Sequence, residues 1–297
     1  MSSIRVNPFP MPDLLAALEN LQQQQSTATM EMGTGSTINK PSDDPAGAAQ
    51  LTLVNAASSQ VDSFERSIGS INTQLSTADS TLSSVVTVLQ RAIGLGVQGA
   101  NGTLSDTDRA AIGDELSGIQ SQLVSLANAS YQGQYLFAGT AETQPFVLDA
   151  NAASGVSYKG NAGTNLVTIG NGYQVQVNVP GSQIFNGAGA DVFQGISDLI
   201  GALKTNSGIS DAVTEVTNAY NYVTSQRVFY GNAMNQAQTQ QTFLDTEKVN
   251  LSQQVNTVAG ADMAAVASQL ASDETAINAT LDAISSMPRT SLFDYLK

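Results

Sequence analysis

Residues 54–92 read VNAASSQVDSFERSIGSINTQLSTADSTLSSVVTVLQRA, and apolar side chains recur in this stretch at alternating spacings of three and four. The twelve positions are Val54, Ala57, Val61, Phe64, Ile68, Ile71, Leu75, Ala78, Leu82, Val85, Leu89 and Ala92. If apolar residues were distributed at random in a chain that is 41% apolar, all twelve positions of a given window would be apolar about twice in a hundred thousand cases. The pattern predicts a heptad helix from about residue 45 to 98, which needs an equally long helical partner.

The segment before this helix reads NKPSDDPAGAA, residues 39–49, and carries helix-start signals. Asp44 precedes a proline and suits the N-cap, Pro45 suits the first helical position, and Asp43 adds negative charge near the helix N-terminus. Neighbouring carboxylates do not converge on one substrate atom, so capping is favoured over a catalytic pair. The predicted helix-start motif is Pro41, Ser42, Asp43, Asp44 and Pro45.

Glycines from Gly94 to Gly102 are expected to end the long helix. Ser105 suits the N-cap of a following helix, and Asp108, three residues later, suits its partner in a capping-box variant. A second heptad helix is predicted from there to about Tyr131. From Val213 to Val258 the three-four spacing returns, with polar interruptions that can fix helix register. These interruptions are Arg227, Gln241 and Lys248. Weaker helices are predicted over residues 14–32 and after Asp262.

Between residues 134 and about 190, Gly and Asn become frequent and the apolar period falls to two. The run from Tyr173 to Val179 alternates apolar and polar residues, which indicates a half-buried strand. Gly170-Asn171-Gly172 before it is a hairpin signal. Further short strands are predicted at 135–137, 146–148, 156–158 and 166–169, and a short helix at about 191–204. Tyr135, Phe137 and Phe146 suit the centre of such a domain better than a sugar-binding face.

The composition argues against several functional classes. The formal net charge of −14 disfavours nucleic acid and anionic lipid as partners. The chain contains no Cys and no His, which removes the thiol nucleophile, the usual general base and the commonest metal ligand. We therefore expect no enzymatic activity and no cofactor. The N-terminus shows no cleavable signal pattern, and no run of about 18 apolar residues predicts a membrane-spanning helix.

The predicted fold is mainly α with a β insert. Long heptad-patterned N- and C-terminal helices form an α-helical rod or bundle, and a small β-rich domain lies at the centre of the chain. The predicted parts are an N-terminal assembly segment weakly ordered in the monomer (1–44), a discontinuous helical rod (45–133 and 197–260), a β-rich insert (134–196) and a C-terminal assembly helix (261–297).

Several strings, in order along nearly the whole chain, resemble the flagellin superfamily. They are PSDDPAGAA (41–49), ANGTLSDTDR (100–109), GQYLFAGT (133–140), Pro145-Phe146, YKGN (158–161) and the closing SLFDYLK (291–297). The ending, the prolines around Asp43 and Asp44, and the single small insert resemble the hook–filament junction members more than filament-forming flagellins. The string GTGSTI (33–38) departs from the Ser-Ser-Gly segment with a basic residue that many members carry, and the N-terminal prolines are also unusual.

The resemblance implies a structural adaptor at the junction between hook and filament of the bacterial flagellum, needed for filament attachment. It implies export without processing by the flagellar type III apparatus, an export chaperone, and a ring of copies between the other junction protein and flagellin. It places the assembly interface at Leu14, Leu18, Leu21, Leu270, Ile277, Leu281, Ile284, Leu292 and Leu296. Two alternatives remain open: a filament subunit of the flagellin type, and a secreted binding module or adhesin that uses the β insert.

Overall fold

A computed structural model describes residues 11–286 of the chain. The elements form a helical N-terminal part, a region of short strands and a helical C-terminal part, in agreement with the predicted class. In chain order they are α1 (Met11–Thr34), α2 (Pro45–Gly99), α3 (Asp106–Ala127), β1 (Ser130–Tyr131), β2 (Gln134–Tyr135), β3 (Phe146–Leu148), β4 (Val156–Tyr158), β5 (Leu166–Gly170), β6 (Tyr173–Gln176), α4 (Gly181–Phe185), β7 (Asn186–Gly187), β8 (Ala190–Asp191), α5 (Val192–Thr205), α6 (Ile209–Ala259) and α7 (Met263–Ser286).

Helix α2 has the apolar seam that its heptads predict. Ten of the twelve seam residues are buried, and the other two, Ala57 and Phe64, are half-buried. Helix α6 has a matching row of buried residues seven apart: Val216, Val223, Tyr230, Ala237, Leu244 and Leu251. Burial of these apolar side chains on both helices provides the hydrophobic stabilisation that a long isolated helix lacks.

The glycines near the end of α2 do not break it where they first occur. The helix runs through Gly94 and Gly96 to Gly99. A Cβ at Gly96 would come within 2.6 Å of a Val213 methyl group, and one at Gly99 would collide with Leu203. These glycines therefore allow α5 and α6 to approach the α2 backbone closely.

Helix α3 begins as predicted and ends earlier than predicted. The Ser105 hydroxyl accepts a hydrogen bond from the Asp108 N–H, and the Asp108 carboxylate accepts one from the Ser105 N–H, a complete capping box. This bonding lowers the pKa of Asp108. The helix stops at Ala127 rather than near Tyr131 because the Asn128 side chain forms two hydrogen bonds with the backbone of Phe146. Its amide N–H donates to the Phe146 carbonyl at 2.8 Å, and its amide oxygen accepts from the Phe146 N–H at 2.9 Å.

The central region contains four two-stranded antiparallel sheets, pairing β1 with β2, β3 with β4, β5 with β6 and β7 with β8. The β5–β6 hairpin turns at Gly172, whose φ of 72° is a left-handed conformation that favours glycine. The predicted alternation from Tyr173 to Val179 was only partly right. Strand β6 ends at Gln176, and Tyr173 is exposed whereas Val177 and Val179 are buried.

Four phenylalanines form the apolar centre of this region, and each is fully buried. The ring of Phe146 lies 5.2 Å from the rings of both Phe185 and Phe193, and Phe137 lies 5.4 Å from Phe185. Edge-on and tilted aromatic pairs at these distances add to the stabilisation from burial. The aromatic cluster therefore holds β3, α4 and α5 together.

The contacts divide the chain into two compact units. One contains residues 11–60 and 247–286 of the described chain, and the other contains residues 61–246. The first unit includes α1, α7 and the adjoining ends of α2 and α6. The second includes the aromatic cluster and all the short strands. The four-part division drawn from the sequence stays a prediction.

Among residues 11–286, helix α2 alone is long and apolar enough, by length and composition, to cross a membrane. The same test is met by core helices of proteins that never enter a membrane. The buried seam of α2 extends from Ile68 to Ala92, whereas Leu53 and Val97 of the same helix are 73% and 60% exposed. Burial of the seam therefore accounts for part of the hydropathy of α2.

Candidate assembly interface

The helix-start motif lies on the surface, and each of its residues from Pro41 to Pro45 is exposed. The Asp44 carboxylate accepts a hydrogen bond from the Ala46 N–H at 3.0 Å, and α2 begins at Pro45. The Asp43 carboxylate accepts hydrogen bonds from the N–H groups of Asn39 and Lys40, at 3.0 and 2.8 Å. Both carboxylates thus satisfy backbone donors in the turn and at the helix start.

Helices α1 and α7 pack against each other in antiparallel directions. Backbone bonds tie the end of α1 to the start of α7: the Ala261 N–H donates to the Gly35 carbonyl at 3.0 Å, and the Thr37 N–H donates to the Ala259 carbonyl at 2.8 Å. Ser36 and Gly260 form an antiparallel bridge between them. The structure thus brings the first and last described helices together as one helix pair.

Most of the predicted interface residues lie along this helix pair, and none of those described is fully buried. Leu14, Leu18, Leu21, Leu270, Ile277 and Ile284 are half-buried, and Leu281 is 45% exposed. Leu292 and Leu296 lie outside the described residues. A pair of helices with its apolar residues only half covered has surface available for further partners, and the assembly role of these residues stays a prediction.

Only three residues of the pair are fully buried, and one of them is charged. They are Ala28, Val266 and Asp273. Asp273 is 2% exposed, and one carboxylate oxygen accepts a hydrogen bond from the Gln269 side chain at 2.7 Å. The other oxygen, Oδ2, has no hydrogen-bond partner in the described chain. A buried carboxylate oxygen without a donor is costly, so this position is incompletely satisfied.

Sequence reasoning missed Asp273. The seam of α7 passes from Leu270 to Ile277, and the three-four spacing places residue 273 between them on the same face. A seam defined by apolar residues gives no signal for a carboxylate on it. The position itself could have been found from spacing alone, whereas its unsatisfied oxygen could not.

A groove of about 700 Å³ lies along the helix pair, between α1 and the first part of α7. Its lining is mainly polar, with the amides of Asn20, Gln23 and Gln24 on α1, Glu31 at the end of α1 and Gln269 on α7. Gln269 lines the groove and also donates a hydrogen bond to the Asp273 carboxylate, which is not itself part of the lining. The amides can donate and accept hydrogen bonds, and Glu31 adds the one carboxylate of the lining.

In the unit of residues 61–246, an ion pair joins α2 to α6. Arg227 interrupts the apolar seam of α6, as the sequence indicated, and its guanidinium donates two hydrogen bonds to the Asp79 carboxylate, at 2.8 and 3.0 Å. Both side chains are about 30% exposed. This two-point contact at one position of the seam favours a single register of α2 against α6.

A double-mutant cycle with Asp79→Asn and Arg227→Met should give a coupling free energy of about 1 kcal/mol, measured by denaturant unfolding. The cycle of Arg91 with Glu115 provides a matched control, since these side chains also pair but are 64% and 40% exposed. We expect a coupling below about 0.5 kcal/mol for the control because water screens exposed pairs. Equal coupling in the two cycles would rule out a special role for Arg227.

Carboxylates also meet between α5 and α6. Desolvation, together with the neighbouring carboxylates Asp198 and Asp211, raises the pKa of Glu215 above its ordinary value of 4.5. A carboxyl group with a raised folded-state pKa favours folding below its unfolded-state pKa, and that contribution is lost as the pH rises through the folded-state pKa.

Glu215→Gln should therefore stabilise the protein at pH 7, by about 1–2 °C in the unfolding midpoint because the site is largely exposed. The difference should shrink as the pH falls towards 4. Calorimetry of both proteins across this range measures the effect, and a difference that does not vary with pH would contradict the assignment.

Within residues 11–286, no three Asp or Glu side chains are grouped so as to hold a metal ion. The aromatic residues Phe137 and Phe146 that could have formed a sugar-stacking face are fully buried. The helix pair of α1 and α7 stays the candidate site, and its role stays a prediction.

Comparisons with known proteins show which proteins this chain is similar to. Residues 12–142 match the family model described as the bacterial flagellin N-terminal helical region. The chain is 27% identical to flagellar hook-associated protein 3 of Escherichia coli strain K12, over 95% of this chain and 96% of that protein. It is 29% identical to flagellin D of Vibrio anguillarum, over 66% of this chain and 51% of that protein.

Solved structures show the same fold. A putative flagellar hook-associated protein from Vibrio parahaemolyticus superposes with a TM-score of 0.68 at 23% identity, and the match covers 73% of this chain and 99% of that structure. The two sequence relatives are named as flagellar proteins, and the solved structure shows the shared fold.

Proposed function

We propose that this chain, a flagellin-like protein related over nearly its whole length to flagellar hook-associated protein 3, is a structural subunit of the bacterial flagellum and the adaptor at the hook–filament junction. The observation that carries the proposal is the length of the match, which covers 95% of this chain and 96% of the relative. A flagellin of Listeria innocua is 26% identical over 85% of this chain and 84% of that protein, a shorter match than the one to hook-associated protein 3, so a filament subunit is the weaker candidate.

The structure is consistent with such a role. The half-covered apolar residues of α1 and α7 lie on one helix pair formed by the two ends of the described chain. A subunit that acts by being incorporated into an axial structure needs surfaces that other subunits complete. The helix pair is suited to this use, and we assign it the contacts with neighbouring subunits.

The partners follow from this position in the flagellum. They are the other hook-associated junction protein on one side, flagellin on the other, and further copies of this chain in a ring. We further propose that an export chaperone binds the chain before assembly, and that the flagellar type III apparatus secretes it unprocessed. We assign it no catalytic role.

Electron microscopy of cells that lack this protein, combined with an assay of flagellin in the medium, tests the proposal. Hooks without filaments, together with flagellin lost to the medium, are the expected result. Hooks without filaments and without lost flagellin would instead identify the chain as the filament subunit. Normal filaments would remove both roles and favour a binding module that uses the β insert.

A further inference from the structure

Three asparagines of the chain are each followed by a glycine, and the structure holds them in different surroundings. They are Asn101, Asn171 and Asn186. In an Asn-Gly pair the glycine carries no side chain that would obstruct its nitrogen, so this nitrogen can approach Cγ, the carbon of the asparagine amide. The pair is therefore chemically disposed to lose the amide, and the local structure decides which of the three pairs can do so.

Asn101 lies in the loop that joins α2 to α3. Asn101, Gly102 and Thr103 are all exposed, and a Cβ placed on Gly102 would have no atom within 4 Å. The Oδ1 atom of Asn101 accepts two hydrogen bonds from Thr103, one from the N–H at 3.2 Å and one from the hydroxyl at 2.9 Å. Neither bond holds Nδ2, the nitrogen that must leave. The amide is thus oriented by its oxygen, and the space around Gly102 is open.

The surroundings of Asn186 oppose the same reaction. Asn186 is half-buried, and its Nδ2 donates a hydrogen bond to the Asp191 carboxylate at 2.8 Å. Gly187 is buried against the ring of Tyr222, with which a Cβ at this position would collide. Both residues of the pair belong to β7, which is paired with β8. Strand β7 would have to open before the Gly187 nitrogen could reach Cγ.

Asn171 is intermediate between these two cases. Asn171 and Gly172 are exposed, but they close the hairpin between β5 and β6. The ladder of this hairpin pairs Gly170 with Tyr173, the residues on either side of the turn. The turn cannot change its shape without disturbing that pair, whereas the loop at Asn101 connects two helices and is part of no strand ladder.

We propose that Asn101 is a deamidation site, at which the Gly102 nitrogen attacks Cγ and displaces the amide. A bond forms between this nitrogen and Cγ, and the bond from Cγ to Nδ2 breaks. Ammonia leaves with the proton that the Gly102 nitrogen gives up. Water then opens the resulting succinimide ring at one of its two carbonyls, which yields aspartate or isoaspartate. The net change is one water consumed, one ammonia released and one negative charge added, with nothing oxidised or reduced.

The two donors of Thr103 lie where negative charge develops in this reaction. As the Gly102 nitrogen adds to Cγ, Oδ1 becomes an oxyanion, and the N–H and hydroxyl that already bind Oδ1 stabilise that charge. The effect is smaller than in an enclosed active site because the loop is open to water. Thr103 therefore accelerates deamidation of Asn101 to a modest degree.

Conversion to isoaspartate changes a loop that is tied at both ends. The Asn101 N–H donates to the Gln98 carbonyl, and the Asn101 carbonyl accepts from the Leu104 N–H, both at 3.1 Å. The buried Arg109 in turn donates to the Leu104 carbonyl at 2.6 Å. In isoaspartate the main chain passes through Cγ, so the turn from Asn101 to Leu104 loses its present hydrogen bonds. We expect faster amide exchange in residues 100–105 of the converted chain, with α2 and α3 still protected.

Timed peptide mapping of the purified full-length chain at mildly alkaline pH tests the proposal. Trypsin releases residues 92–109 as one peptide in which Asn101 is the only asparagine, and mass spectrometry detects its conversion from amide to acid. We expect Asn101 to convert first, and Asn186 to convert at least about tenfold more slowly because β7 must open. In denaturant the three sites should convert at similar rates. Faster conversion at Asn171 or Asn186 in the folded chain, or an unchanged ranking in denaturant, would overturn the proposal.

Variants of the loop separate the site from its activation. Thr103→Val keeps the shape of the side chain, removes the hydroxyl donor and should slow conversion roughly two- to fivefold, whereas Thr103→Ser should retain the native rate. Thr107→Val makes the same change at an exposed residue of α3 and should have no effect. An unchanged rate in Thr103→Val would overturn the role of Thr103.

Asn101→Gln tests the site itself, because the longer side chain disfavours ring closure. We expect it to abolish conversion of the peptide of residues 92–109. Conversion of this peptide at the native rate would place the reaction at another residue and overturn the assignment to Asn101. These measurements use the isolated chain and involve no assembly step, so their failure would leave the proposed adaptor role intact.

Discussion

Replacing Phe146 with alanine is expected to lower the free energy of unfolding of the unit of residues 61–246 by about 3–5 kcal/mol. Phe146 is fully buried, and its ring contacts those of Tyr158, Phe185 and Phe193 at centroid distances of 5.0–5.2 Å. The substitution removes the buried ring and leaves a cavity that the surrounding strands, each two to five residues long, cannot close. Urea denaturation of the purified full-length chain measures the loss.

Phe243→Ala is the matched control, since it makes the same chemical change on α6 at a side chain that is 60% exposed. We expect a change below about 0.5 kcal/mol there. The Phe146 variant should also lose near-ultraviolet dichroism from the aromatic cluster while keeping its helical signal. A cost for Phe146→Ala as small as that for Phe243→Ala would mean that the aromatic cluster does not hold the insert together.

The long helices could be predicted from the sequence because their burial is periodic. Seven-residue spacing in α2 and α6 repeats over many turns, so each seam is marked many times. The capping box at Ser105 could also be predicted, because its two residues lie only three positions apart in the sequence. The end of α3 could not be predicted from local sequence, because it depends on a hydrogen bond between Asn128 and Phe146, which are eighteen residues apart.

The β insert was predicted as a region but not in its details. Strands β1, β2, β7 and β8 have two residues each, too few to show alternation. The run from Tyr173 to Val179 does alternate, but Asn178 directs it away from the ladder. The Asn178 side chain accepts a hydrogen bond from the Asn165 N–H and donates to the Gly139 and Gly163 carbonyls, so the chain leaves the hairpin there.

The candidate interface was located by resemblance, and its chemistry came from the structure. The apolar positions Leu18 and Leu270 were found from spacing and likeness to a family. The polar groove and the unsatisfied oxygen of Asp273 require the pairing of α1 with α7, elements that lie more than two hundred residues apart in the chain. Such long-range pairs are not encoded in any local pattern.

Substituting Leu270→Glu together with Ile277→Glu should abolish filament attachment. Both side chains are half-buried, three and four residues from the buried Asp273 and hence on the same face of α7, and placing two unpaired charges there costs several kcal/mol. We expect the α1–α7 pair to open, which would remove the surface assigned to neighbouring subunits. The measurements are the count of filament-bearing hooks by electron microscopy and amide hydrogen exchange of the purified chain.

The exchange data determine what a loss of filaments means. Protection should fall in α1 and α7 and stay unchanged in residues 61–246, because these helices belong to a separate compact unit. Met263→Glu, on the same helix at a side chain that is 46% exposed, should leave both measurements unchanged. Normal filament numbers in a variant whose helix pair has opened would show that the pair is not the assembly surface. Loss of protection throughout residues 61–246 would attribute the missing filaments to general unfolding, because an unfolded subunit could not attach filaments whichever surface it used.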